Sequence, residues 1–247
     1  FEHYNVLDDG GTGGNVWLSN SSNVTVKNNI FRDTGRDGVY ITGTSANCVV
    51  ENNLFYGISD DGISPYGTGP HTIRNNTIYD TGGWAIEGAD TSVNLFENNI
   101  IWDTMPAPSG TATWNYNDYI SSVLSGTGNI SSDPLFISAA TDDFHLSQIA
   151  AGQGSDSPCK DAGSDTAANL GLDTRTTRTD HVTDTGTVDM GFHYPVTVTF
   201  EKRVTASSDD AEEPAGGGTP DINSSDLELV DDGGLQQVGM RFTGVTV

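Results

Sequence analysis

Apolar positions in the first hundred residues recur as short alternating runs broken by Asn, Gly and Asp, not at helical spacing. Four times an Asn-Asn pair precedes two mostly apolar residues, at Asn28-Asn29, Asn52-Asn53, Asn75-Asn76 and Asn98-Asn99, in steps of 24, 23 and 23 residues. A degraded copy, Tyr4-Asn5-Val6-Leu7, lies 24 residues before the first. A fixed period of this length marks a unit that buries its apolar face only by stacking on its neighbours.

Aligning the copies gives columns. Val26, Val50, Ile73 and Phe96 read as one inward ladder. Lys27, Glu51, Arg74 and Glu97, with His3 in the degraded copy, follow as an outward column of alternating charge. Stacked strands lie about 4.8 Å apart, so opposite charges would pair along that column. The first Asn of each pair, Asn28, Asn52, Asn75 and Asn98, is then expected to point inward and bond its counterparts above and below. A second strand follows a Gly in each copy, at Gly38-Val39-Tyr40-Ile41, Gly62-Ile63-Ser64-Pro65 and Gly83-Trp84-Ala85-Ile86, with Gly14-Asn15-Val16-Trp17 in the first. Val39/Ile41, Ile63/Pro65 and Trp84/Ile86 are the expected inward residues.

Two or three short strands per turn of about 23 residues predict an all-β single-stranded parallel β-helix, here of about six to eight turns. The Leu frame of leucine-rich repeats is missing, and propeller blades need a longer period. The register slips after Trp102, where a Pro-, Gly- and aromatic-rich loop from Met105 to Asn117 precedes the next copy, Gly128-Asn129-Ile130. Loops inserted in a solenoid tend to collect on one face, often the binding face.

Beyond Asp133 the order Asp133-Pro134-Leu135-Phe136, Asp143-Phe144-His145-Leu146-Ser147, Ser157-Pro158-Cys159-Lys160-Asp161-Ala162-Gly163 and Val188-Asp189-Met190-Gly191-Phe192-His193-Tyr194 resembles the C-terminal end of secreted bacterial right-handed parallel β-helix proteins with pectate-lyase-like repeats. With the Asn-Asn turns, the resemblance spans residues 1–195 and implies a right-handed coil and an extracellular or cell-surface location. It implies no single activity, because such folds carry lyases, hydrolases, epimerases and adhesins. Residues 196–247 read as a β-strand tail or incomplete β-sandwich module, with strands at Val196-Thr197-Val198-Thr199-Phe200, Ser224-Ser225-Asp226-Leu227-Glu228-Leu229-Val230 and Val238-Gly239-Met240-Arg241-Phe242. The chain opens at Phe1 inside a repeat and reads as a mature or trimmed piece of something longer.

Composition narrows the functions. The 30 Gly suit a turn-rich, strand-rich chain, and the formal net charge of -24 repels nucleic acid and anionic membranes and suits divalent cations. No apolar run is long enough to cross a bilayer. Cys48 and Cys159 fall in apolar strand positions and read as buried free thiols, with a disulfide as the alternative.

The chemistry is sparse. A lyase would want a Lys or Arg base, but Lys27 belongs to the charge column, Lys160 to the terminal motif and Lys202 to the tail. Glycoside hydrolysis needs two carboxyls several ångströms apart. Asp37 and Asp61 precede the strand Gly in successive turns with Asp60 adjacent, and Asp60-Asp61-Gly62 resembles the acidic motif of polygalacturonase-like hydrolases. The Gly-His-Gly and Arg-Ile-Lys of that family are missing, and Asp before Gly is also ordinary turn chemistry. Trp17, Tyr40, Tyr56, Tyr79 and Trp102 are outward aromatics suited to stacking on sugar rings or to packing under a loop. His145 and His193 read as structural members of the terminal motif, and Asp173, Arg175, Arg178 and Asp180 as a network pinning the end of the stack. For calcium, Asp209, Asp210, Asp221, Asn223 and Asp226 supply oxygen ligands. The expected function is an extracellular structural or adhesive module, touching glycans and self-assembling into fibres through open ends or residues 196–247. The alternative is a lyase or hydrolase acting on an acidic polysaccharide.

Overall fold

The computed structural model describes residues 2–4, 14–88, 94–102, 112–120, 125–196, 210–214 and 236–240. The chain divides into two compact units, Phe1–Thr197 and Val198–Val247. Strand β1 (Glu2–Tyr4) precedes three coils of three strands each: β2 (Gly14–Ser19), β3 (Thr25–Lys27) and β4 (Ile30–Thr34); β5 (Asp37–Thr42), β6 (Val49–Glu51) and β7 (Leu54–Ile58); β8 (Ile63–Pro65), β9 (Thr72–Arg74) and β10 (Thr77–Tyr79). A bridge from Ile63 to Ile86 opens a fourth coil, which continues with β11 (Leu95–Glu97) and β12 (Ile100–Trp102). β13 (Thr113–Asn115) and β14 (Asp118–Tyr119) begin a fifth. Neighbours pair in parallel to give a first sheet β1-β4-β7-β10-β12-β14, a second sheet β13-β11-β9-β6-β3 and a third sheet β2-β5-β8. Roughly four turns therefore stack, against the expected six to eight, because the chain leaves the coil after Ile130 and lays its later strands over a side of the helix.

The bend between the second and first sheets explains the Asn pairs and moves the main ladder to their second members, although the first members Asn52 and Asn28 also bond each other, Asn52 Nδ2 donating to Asn28 Oδ1 at 2.9 Å. Asn28, Asn52, Asn75 and Asn98 take positive φ of 63°, 51°, 52° and 58°, the left-handed region that Asn tolerates best among side-chain-bearing residues. The second Asn forms the inward ladder. The Nδ2 group of Asn53 donates to Asn76 Oδ1 at 3.1 Å, Asn76 to Asn99 at 3.0 Å, and Asn99 to Asn117 at 2.9 Å. Each amide oxygen also accepts a backbone N–H from the preceding coil, as Asn76 Oδ1 does from Asn53 at 2.9 Å. The ladder runs on from Asn117 to Asn129. The segment read as a loop up to Asn117 thus holds a further coil, with Tyr116 (φ 53°) and then Gly128 (φ 70°) in the turn position.

Inside, Val26, Val50, Ile73 and Phe96 form the expected column, Trp114 extends it by one coil, and all are buried. Phe31, Phe55, Ile78, Ile101 and Tyr119 form a second. Phe31 stacks on Phe55 at 4.8 Å and Phe96 on Trp114 at 4.1 Å, between ring centroids. Outside, Glu51 bonds Arg74 at 2.6 Å and Lys27 at 4.0 Å. Glu97 keeps its register opposite Arg74. Three alignments shift. His3 stands opposite Phe31, not in the charge column; Trp17 pairs in register with Tyr40; and the Ile63–Ile86 bridge leaves Trp84 half-buried at the rim while Ala85 is buried.

The remainder of the first unit is a cap. β15 (Phe136–Ser138) pairs antiparallel with β16 (Asp143–Leu146), and β17 (Arg175–Thr176) with β18 (Tyr194–Pro195). Phe144 and Phe192 pack on Leu54 and Tyr56, while Leu146, Cys159 and Met190 pack on Ile100. The returning backbone bonds the turn residues: His193 N–H donates to Asn52 Oδ1 at 2.7 Å and Asn52 Nδ2 donates to the His193 carbonyl at 3.0 Å. Buried Asp184 accepts from the Asp189 N–H and bonds the His193 ring at 2.9 Å, while Gln148 and Thr177 hold Asp189. This network pins the cap; of the expected set, Arg175 joins it through a 3.4 Å bond to the His193 carbonyl, while Arg178 pairs locally with Asp180. Cys48 and Cys159 are buried free thiols.

In the second unit, β19 (Asp210–Pro214) pairs antiparallel with β20 (Gln236–Met240), so part of the acidic run is a strand. The expected strand over 224–230, most of that over 196–200, and the calcium candidates Asp209, Asp221, Asn223 and Asp226 lie outside the described residues. Asp210 is described by its backbone alone.

Asn76 is fully buried and its side chain makes five hydrogen bonds. Asn76→Ala strands several of those partners, at about 1–3 kcal/mol each, whereas Asn29→Ala acts at the half-buried end of the ladder. Urea unfolding should show a loss of roughly 3–5 kcal/mol for the first and about 1 kcal/mol for the second. Equal losses would contradict the ladder as the organising element.

Candidate functional site

The cap decides which outward residues meet solvent. On the first sheet Tyr56 lies under Phe144, with ring centroids 5.0 Å apart, and Tyr79 meets Phe144 at 5.2 Å and Phe136 at 6.1 Å. Trp102 packs against the cluster of Ile100, Leu146, Cys159 and Met190. Three of the five expected sugar-stacking aromatics are thus covered by the chain's own later strands. His145 stacks on Tyr194 at 3.9 Å and bonds Asp143, in the cap.

The third sheet presents the other two. Trp17 is 54% exposed and lies 6.5 Å from Tyr40, which lies 6.0 Å from Tyr66. The three rings form a continuous row across β2, β5 and the residue after β8. At one end of that row is an open cleft of about 420 Å³, lined by Arg36, Asp37, Tyr40, Asp60, Asp61, Tyr66 and Glu87.

The coil register builds this cleft. Val39 pairs with Ile63, so Asp37 and Asp61 precede equivalent positions in successive coils. Each is followed by a glycine that lets the coils approach: a Cβ on Gly38 would lie 2.6 Å from the Gly62 carbonyl oxygen, and one on Gly62 would lie 2.6 Å from the Ala85 carbonyl oxygen. Gly83 likewise leaves room for the Asp61 carboxyl, which accepts the Trp84 N–H at 2.6 Å. One carboxyl oxygen from each of Asp37, Asp60 and Asp61 lies within 4.8 Å of the others. Asp37 and Asp61 are buried and Asp60 is exposed.

Three carboxyls this close cannot all hold charge comfortably. Burial, then a hydrogen bond with Glu87, pushes the Asp61 carboxyl up to about 7. Burial also raises Asp37, offset in part by a hydrogen bond from Ser64 and reinforced by the Asp60 charge. The Ser64 hydroxyl sits between the two acids and donates to Asp61 Oδ2 at 3.3 Å. Burial and a hydrogen bond with Glu87 raise the Tyr66 phenol. The cleft therefore offers a carboxyl able to exchange a proton near neutrality. The same three oxygens also suit one hard cation, since ligands of a single Ca²⁺ lie at most about 5 Å apart.

The repeat shows Asp37, Asp60 and Asp61 as one acidic group and Trp17 and Tyr40 as outward aromatics, and the coil brings both sets to one face. Arg36, Tyr66 and Glu87 were missed. Glu87 sits one coil beyond Ser64 through the Ile63–Ile86 register, which is offset by two residues from the Gly62–Gly83 match in the sequence.

The Asp61 shift has a definite sign in stability. Its raised folded value means the native state binds more protons than the unfolded chain between about pH 4 and about pH 7. The Asp61 contribution is therefore fully present below about pH 4 and is lost as pH rises towards 7. Asp61→Asn should flatten the pH dependence of the urea midpoint over that window, by up to about 1.4 kcal/mol per pH unit, and be the more stable form at pH 8. Parallel wild-type and variant profiles would show that Asp61 titrates as an ordinary surface carboxyl.

Comparison with curated proteins gives no match. Residues 13–117 match the family model described as "Right handed beta helix region". That stretch spans β2 to β13 and both coils that carry the aspartates, and its fold is a right-handed parallel β-helix.

Proposed function

We propose that the third-sheet cleft binds a polysaccharide along the Trp17–Tyr40–Tyr66 row and hydrolyses its glycosidic bonds. The observation that carries this reading is the buried Asp61 carboxyl, hydrogen-bonded to Glu87 and titrating near neutrality beside a row of rings. Aromatic faces suit the apolar faces of sugars. Asp61 is the proton donor to the leaving oxygen, and Asp60, exposed in the cleft, is the carboxylate that a water or the sugar carbon can reach. Asp37 and Glu87 hold the proton on Asp61 by their charge and hydrogen bonding.

Four carboxyl groups face a single guanidinium, that of Arg36. Such a lining favours a neutral glycan over a polyuronate. Elimination chemistry has less support, because Lys27 pairs with Glu51, and Lys160 with Asp156 and Asp161, away from the cleft. An extracellular setting fits a polymer substrate. A non-catalytic surface module that grips glycan with the same rings is the second reading, favoured by the exposure of Trp17. Calcium held by Asp37, Asp60 and Asp61 would serve that binding role.

Neutral and acidic polysaccharides incubated with the protein should yield new reducing ends from a neutral polymer. Asp61→Asn should lower kcat by about 10²–10⁴-fold, with activity falling above about pH 7 as Asp61 loses its proton. Tyr40→Ala should mainly raise KM. Glycan binding without reducing ends from any polymer would leave the surface-module reading; loss of binding on chelation would point to calcium; neither binding nor cleavage would overturn both.

A further inference from the structure

The chain is strongly acidic, yet one pocket is cationic. It lies where the second sheet bends into the first, beneath the segment from Leu170 to Leu172. Lys27, Arg74 and Arg175 line it together with a single carboxylate, Glu51. Three of the ten Lys and Arg residues of a chain of net charge -24 therefore meet in one place. Glu51 satisfies one charge, bonding Arg74 through both Nε and Nη2, with Lys27 4.0 Å away. Arg175 donates only a long bond, 3.4 Å, to the His193 carbonyl, and burial pulls its guanidinium down from its usual value.

A second observation is independent of charge. The turn asparagines on either side of Asn75 are both satisfied by the returning cap: Asn52 exchanges bonds with the His193 backbone, and Asn98 accepts from the Ser164 N–H and donates to its hydroxyl. Asn75 stands between them, is 2% exposed and lines the pocket, and its Nδ2 group has no hydrogen-bond partner. A buried amide donor without an acceptor costs free energy that a ligand oxygen recovers.

We propose that this pocket is an oxyanion-binding site in which Asn75 Nδ2, Arg74, Arg175 and Lys27 receive one sulfate, phosphate or carboxylate group. The volume, about 110 Å³, is that of roughly four waters and suits one such group. Guanidinium and amide donors match oxyanion geometry, and charge-assisted bonds of this kind are the stronger ones. The anion also balances a net excess of two positive charges, tying the cap segment around Leu172 and Arg175 to the coil stack. The site is separate from the acidic cleft in residues and in sheet, and its ligand has the opposite charge preference.

Titration calorimetry tests it on the full chain, with sodium sulfate against sodium chloride at matched ionic strength. Wild type should bind one sulfate saturably. Asn75→Gly keeps the left-handed turn, as Gly128 does in the last copy, and removes the donor; Arg175→Gln removes a charge. Each should weaken sulfate by about tenfold or more, while Asp61→Asn leaves it unchanged. A short oligo-uronide compared with acetate and sulfate identifies the source: tighter uronide binding assigns a sugar-borne carboxylate, and tighter sulfate binding a free anion. No saturable heat with wild type would overturn the site, as would unchanged affinity in both folded variants. Should Asn75→Gly fail to fold, Arg175→Gln alone decides.

Discussion

The asparagine ladder is the interaction on which the rest of this molecule depends. A parallel coil must turn sharply three times per rung, and a turn leaves backbone N–H and C=O groups that cannot reach water once the stack closes. The buried amides from Asn53 to Asn117 supply both a donor and an acceptor at one such turn, and each bonds the next coil as well as its own. They set the register to the residue. Because strand side chains alternate, a slip of one residue would exchange the inward and outward sets. The Phe31–Phe55 and Phe96–Trp114 stacks and the columns of Val and Ile are consequences of that register as much as causes of it.

Register in turn builds the cleft. Asp37 and Asp61 are ordinary loop acids in isolation. Stacked one coil apart, with glycines that draw the backbones together, they become a crowded set in which burial and the Glu87 hydrogen bond hold a proton on Asp61 near neutrality. The rings of Trp17, Tyr40 and Tyr66 line up by the same repetition. A solenoid can thus generate an extended binding surface from residues unremarkable one at a time.

The cap has an effect of a different kind. Its Phe136, Phe144, Leu146, Met190 and Phe192 cover the outer face of the first sheet and convert Tyr56, Tyr79 and Trp102 from candidate sugar platforms into packing. Among the described residues, the cap strands that cover the first sheet do not reach the third sheet's Trp17, Tyr40 and Tyr66. The cap also clasps Asn52 and Asn98 through its backbone but leaves Asn75 Nδ2 unsatisfied. Both the acidic cleft and the cationic pocket therefore owe their availability to where the later strands lie.

From the sequence by itself came the repeat, the parallel β-helix, the inward columns, the paired Glu51 and Arg74, and the pairing of Asp37 with Asp60 and Asp61. These are carried by periodicity, a local and cumulative signal. Tertiary structure alone decided which Asn of each pair turns inward, since both sit at the bend and only the backbone φ distinguishes them. It also decided that Trp84 sits at the rim, that the chain around Trp114 is another coil despite its shortened step, and that Glu87 joins the aspartates. It decided above all which face the cap covers, because that rests on contacts between residues more than a hundred positions apart, such as Asn52 with His193, and no period in the chain encodes them.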